Sequence, residues 1–140
     1  LSTHGSASPF SSDSGLDFAD WLVATSDMSD LEQLLVSFDQ DQWDWAWAWA
    51  WAAAELVAFR GGYPGPPFPE DVIEWLRREG AAISDRDVLA AFKATDELAL
   101  LDIGSLWYDA TVWSHALADL RERLRRLGAE LHIDLSQSSD

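Results

Sequence analysis

Five tryptophans, Trp43, Trp45, Trp47, Trp49 and Trp51, alternate with short side chains, mostly alanine, within a chain of 140 residues. As a strand, all five would line one face. As a helix, at about 100° per residue, Trp43, Trp47 and Trp51 form one stripe and Trp45 and Trp49 lie nearly opposite it. The helix is the better reading, because the run passes without a breaker into Ala52-Ala53-Ala54-Glu55-Leu56-Val57-Ala58-Phe59 and alanine is the strongest helix former. Asp44 and Glu55 then mark one narrow polar strip on a surface otherwise apolar all round. Such a helix sits inside its domain or under a partner. Each Trp brings roughly 150–250 Å² to bury, so several left in water would make a patch larger than monomers carry. The expectation is an all-α fold, a single compact bundle of six or seven helices around this Trp-rich central helix, with Trp47 and Leu120 as buried anchors. The competing use of the run is an aromatic cavity or partner surface.

The flanking sequence divides readily. Residues 1–12 are Ser-rich without helical periodicity and read as an extended lead-in; 13–128 form the helical domain; 129–140 are a tail, an edge strand or disordered, in which Leu131, Ile133 and Leu135 alternate with polar residues. Asp13 or Ser14 can cap a short helix through Leu16, Phe18, Trp21 and Leu22, and Ser29 with Glu32 has the spacing of a capping box for a second through Leu31, Leu34, Leu35 and Phe38. Gly61-Gly62-Tyr63-Pro64-Gly65-Pro66-Pro67-Phe68-Pro69 must be a connector, with Pro69 in the first turn of a helix carrying Val72, Ile73, Trp75 and Leu76 up to Gly80. Ser84 can cap a helix through Val88, Leu89, Ala91 and Phe92, and Thr95 or Asp96 can start another through Leu98, Leu101 and Trp107. Trp113, Leu117, Leu120, Leu124 and Leu127 fall at alternating four- and three-residue steps, one apolar seam of a last helix. There Asp119 with Arg123 and Glu122 with Arg126 are four apart, acid first. Arg121, Arg123, Arg125 and Arg126 precede Gly128, where positive charge suits the end of the helix dipole.

Charge narrows the partners. Against 25 Asp and Glu stand 9 Lys and Arg, a formal charge of −16, which disfavours nucleic acid and acidic lipid surfaces. The half up to Phe59 holds ten acids and no Lys or Arg; the remainder holds fifteen acids and all nine bases. Cysteine is absent, so there is no thiolate nucleophile and no Cys-ligated zinc, and a reducing, cytoplasmic setting is expected. No apolar run approaches a membrane span, and no basic-then-apolar leader opens the chain.

Catalytic motifs are missing. His4, His115 and His132 have no Gly-flanked Ser elbow to serve, and His132-Ile133-Asp134 offers two metal ligands without a third. Asp39-Gln40-Asp41 with Asp44 imitates the start of a calcium loop, but Gly is lacking at the sixth position and Ala50 stands where the bidentate acid belongs. Gly61-Gly62 lacks the Lys and Ser or Thr of a phosphate loop. No cofactor is expected, and an enzyme ranks last.

The stretch Gly5-Ser6, then Phe10-Ser11-Ser12-Asp13-Ser14-Gly15-Leu16-Asp17-Phe18-Ala19-Asp20-Trp21-Leu22, resembles the opening of a small bacterial family catalogued as a domain of unknown function, number four-two-five-nine. The resemblance continues in Ala52 to Ala58, in Pro69-Glu70-Asp71-Val72 with Trp75-Leu76, and in Leu106-Trp107 with Ala118 to Leu124. His4 stands near the family's usual Trp, and the alternating Trp run is not a family feature. The resemblance implies an all-helical fold and transfers no activity. The function expected from the residues is a non-enzymatic protein-interaction module, of inhibitor or immunity type, for a basic partner, with Asp39, Asp41, Asp44, Trp43, Trp45 and Trp49 at the contact. The alternative is a small-molecule binder with a Trp-lined pocket.

Overall fold

A computed structural model describes residues 13–25, 28–37, 46–65, 67–79, 84–100 and 110–133. Every element in them is an α-helix: α1 (Asp13–Thr25), α2 (Met28–Ser37), α3 (Ala46–Arg60), α4 (Glu70–Glu79), α5 (Asp85–Ala99) and α6 (Ala110–Glu130). The fold is all-α, with no strand among the described residues. Trp43 and Trp45 lie outside them, as does the side chain of Trp47.

The alternating run is helical from Ala46 onward, and every residue from Ala50 to Ala58 is buried. α3 packs against α1, α2, α5 and α6, and α5 adds contacts to α2 and α6, while α4 rests on α1. Alanines make this possible, since Ala48, Ala50, Ala52, Ala53 and Ala54 are all fully buried and their small side chains let neighbouring helices approach closely. The two described tryptophan faces meet different partners. Trp51 is enclosed and meets Trp113 of α6 edge-on at 5.0 Å, whereas half-buried Trp49 points to α1, 5.5 Å from Phe18 and 5.2 Å from Trp21. Edge and tilted geometries of this kind suit the ring quadrupoles.

The C-termini of α3 and α6 close the same way. At the end of α3, Tyr63 N–H donates to the Ala58 carbonyl and Gly62 N–H to that of Phe59, with Gly62 at φ 101°. At the end of α6, Ile133 N–H donates to Gly128 and His132 N–H to Ala129, with His132 at φ 59°. Each is a Schellman closure with a left-handed residue after the helix. In both, the residue that follows (Tyr63, Ile133) packs on the core.

Three expectations are corrected. α2 starts at Met28, so Ser29 lies inside the helix and Glu32, instead of closing a capping box, pairs with Arg86 of α5 at 2.9 Å. No separate helix begins at Thr95 or Asp96: α5 runs on to Ala99, since nothing between Ala94 and Leu98 breaks it, and the Thr95 hydroxyl donates back to the Phe92 carbonyl. The expected continuation through Leu101 and Trp107 lies outside the described residues. α6 passes through Gly128 to Glu130, so its last turn has no base and the arginines do not serve the dipole there. Leu131 and His132 form a turn, and the rest of the expected tail, residues 134–140, lies outside the described residues. The Ser84 cap is present as a full capping box, Ser84 Oγ accepting from Asp87 N–H while the Asp87 carboxylate accepts from Ser84 N–H. Pro69 stands one residue before α4, its carbonyl accepting from Val72 and Ile73 N–H.

Candidate functional site

The most unusual chemistry in the described molecule is inside it. Glu55 is the one acid in the buried stretch of α3 and is 1% exposed; it is therefore not part of an exposed polar strip. It meets Arg123 of α6 in a two-pronged pair, Nη1 donating to Oε1 at 2.8 Å and Nη2 to Oε2 at 3.1 Å. Two further guanidinium donors are engaged: Nε donates to Asp119 Oδ2 at 2.8 Å, one turn earlier on α6, and Nη1 also reaches the Tyr63 carbonyl at 3.3 Å. Burial pushes the Glu55 carboxyl above its ordinary range, against the pull of the hydrogen bonds and charge of Arg123. For Arg123, burial works to lower the pKa, but hydrogen bonds and charge from Glu55 and Asp119 outweigh it and leave the guanidinium more basic than usual.

This arrangement holds helices rather than a substrate. Both Glu55 oxygens accept from the same guanidinium, so neither is poised as a general base. The other arginines of α6 are likewise engaged. Arg121 pairs with Asp96 of α5 at 2.7 Å and lies 4.8 Å over the Phe92 ring, Arg125 lies 5.5 Å over that ring, and Arg125 and Arg126 both pair with Glu122. The acid-first pairs Asp119–Arg123 and Glu122–Arg126 form as their spacing predicts.

Of the residues expected at a contact, Asp39, Asp41, Asp44, Trp43 and Trp45 lie outside the described residues. Trp49 is half-buried in the cluster with Phe18 and Trp21. Leu120 is fully buried, as an anchor should be. His115 is exposed on α6 and His132 occupies the left-handed turn, while no group of three His, Asp or Glu able to hold a metal occurs among the described residues. No described helix is long and apolar enough to cross a membrane.

Residue periodicity missed the Glu55–Arg123 pair. Its signal is a single acid inside an apolar helix, which a base on some other helix must answer. Compared with family models, curated proteins and solved structures, the chain has no match.

Proposed function

We propose that this chain is a non-enzymatic protein-interaction module that binds a basic protein, in the manner of an inhibitor or immunity protein. The observation that carries the reading is the distribution of charge. Arginines of α4, α5 and α6 are spent on acids of the same molecule, as in Arg77–Glu74, Arg86–Glu32, Arg121–Asp96 and Arg123–Glu55. However they pair, sixteen more acids than bases remain. Asp17 and Asp20 on α1, and Glu70 and Asp71 on α4, are exposed, and α1 and α4 pack together. Excess charge of one sign steers an oppositely charged protein into contact, and aromatic anchors then hold it. The same charge argues against nucleic acid as the partner. A chain without cysteine is at no disadvantage in a reducing compartment, so the cytoplasm is the proposed setting.

Trp51 and Trp49 are engaged with Trp113, Phe18 and Trp21, whereas Trp45, the other ring a Trp-lined pocket would use, lies outside the described residues. The test is capture on the immobilised full chain from extract of the source cells at low and high salt. The proposal expects a basic protein held at low salt and released at high salt. Recovery of no basic protein under either condition would leave the acidity as an aid to solubility and remove the inhibitor reading.

A further inference from the structure

The connector after α3 does more than reverse the chain. Gly61 lies so close to α6 that a Cβ there would overlap the Leu127 side chain, and a Cβ on Gly65 would fall 2.5–2.6 Å from Arg123 Nη1, Cζ and Nη2. The backbone at Gly65 therefore lies directly against the guanidinium that holds Glu55, an approach that only glycine permits. Between these two points the Tyr63 carbonyl accepts from Arg123 Nη1, and the Tyr63 hydroxyl donates to Glu130 at 2.7 Å near the end of α6. Gly62 and Tyr63 N–H close the end of α3. This short segment thus joins the end of α3, the buried pair and the end of α6.

We propose that Gly61–Gly65 is a strap whose opening and the entry of water to the Glu55–Arg123 pair are one conformational event. The guanidinium is boxed by Glu55 on one side, Asp119 along its own helix and the strap on the third, so the strap cannot lift without uncovering it. Equally, the guanidinium cannot swing away without losing the Tyr63 carbonyl. A short segment with Gly62, Pro64 and Gly65 exposed, tied to a buried charge, is the kind of unit that opens locally, below the free energy of global unfolding. Opening would also bare Leu127, which Gly61 covers.

Tyr63→Phe isolates the coupling, because it removes only the exposed hydroxyl contact with Glu130, which does not touch Arg123. Hydrogen exchange by NMR on the full chain reads the backbone amides of Gly62 and residue 63, Arg123 Nε–H, and the α5 amides of Ala91 and Phe92. The strap amides and Arg123 Nε–H should accelerate by one common factor, roughly three- to fivefold for the loss of a modest hydrogen bond, with the α5 amides unchanged. Gly65→Ala, pushing on the guanidinium from above, should raise the same set together by a larger common factor. Acceleration of the strap amides with Arg123 Nε–H unmoved would separate strap from pair and overturn the proposal. A uniform rise that includes α5, or no change anywhere in Tyr63→Phe, would overturn it as well.

Discussion

A carboxylate and a guanidinium that leave water together cost far more when separated than they return when joined. Glu55→Gln should therefore destabilise the protein by about 3 kcal/mol, the lower end for breaking a buried pair, because Asp119 and the Tyr63 carbonyl stay with Arg123. Glu55→Leu combined with Arg123→Met should lie within about 1 kcal/mol of the unaltered protein, or above it, because both desolvation costs vanish together. Urea midpoints measure all three. The pH dependence has a definite sign. Since the folded-state pKa of Glu55 is raised by burial, this residue favours folding most below its ordinary value of 4.5 and loses that advantage as pH rises through the folded value. Arg123→Met removes the groups that hold the carboxyl down, so its stability deficit should shrink as the pH falls from about 7 towards 4, as Glu55 takes up a proton. A deficit constant across that range would show that Glu55 is hydrated. The pair was only half legible in the sequence: an acid amid Ala, Leu and Val announces a missing partner, but helical spacing within one element cannot say which of eight arginines crosses to it.

At the scale of the helix, ends are governed by chemistry that a short stretch of sequence carries whole. Ser84 and Asp87 form their capping box, and Ser84→Ala should cost about 1 kcal/mol in thermal or urea melts. Gly62→Ala, forced to φ 101°, should cost about 1–2 kcal/mol, whereas His132→Gly at φ 59° should be neutral or stabilising. Where a hydroxyl can serve in two ways, local sequence decides poorly. Ser29 and Thr95 both look like caps, yet one lies inside α2 and the other bonds back to Phe92 within α5, because tertiary packing of the apolar face, not the cap, sets where those helices run. The seam of α6 was legible, since a 3.6-residue period needs no knowledge of the partner: Trp113, Leu117, Leu120, Leu124 and Leu127 are all buried. Leu120→Ala should cost about 2–5 kcal/mol through the cavity it leaves, and an unchanged melt would place that side chain at the surface.

At the scale of the molecule, the alternating tryptophans and the acidity answer different needs. Alanine alternating with tryptophan lets α3 lie against four other helices, Trp51 filling the space toward α6 and Trp49 that toward α1. The all-helical class was therefore readable from the absence of breakers in that run, and the helix partners were not, because nothing local encodes which bundle face each ring meets. The charge of −16 stabilises nothing in this packing, and self-repulsion makes it a cost. A basic partner would offset that cost. Association kinetics with the captured basic protein test this most directly, comparing the unaltered chain with a variant in which Asp39, Asp41 and Asp44 are all Asn. As the Debye length falls from about 10 Å at 0.1 M salt to about 3 Å at 1 M, the on-rate should drop steeply, and the triple variant should start lower with its off-rate nearly unchanged. An on-rate that is flat in salt and indifferent to the three substitutions would contradict charge-steered binding.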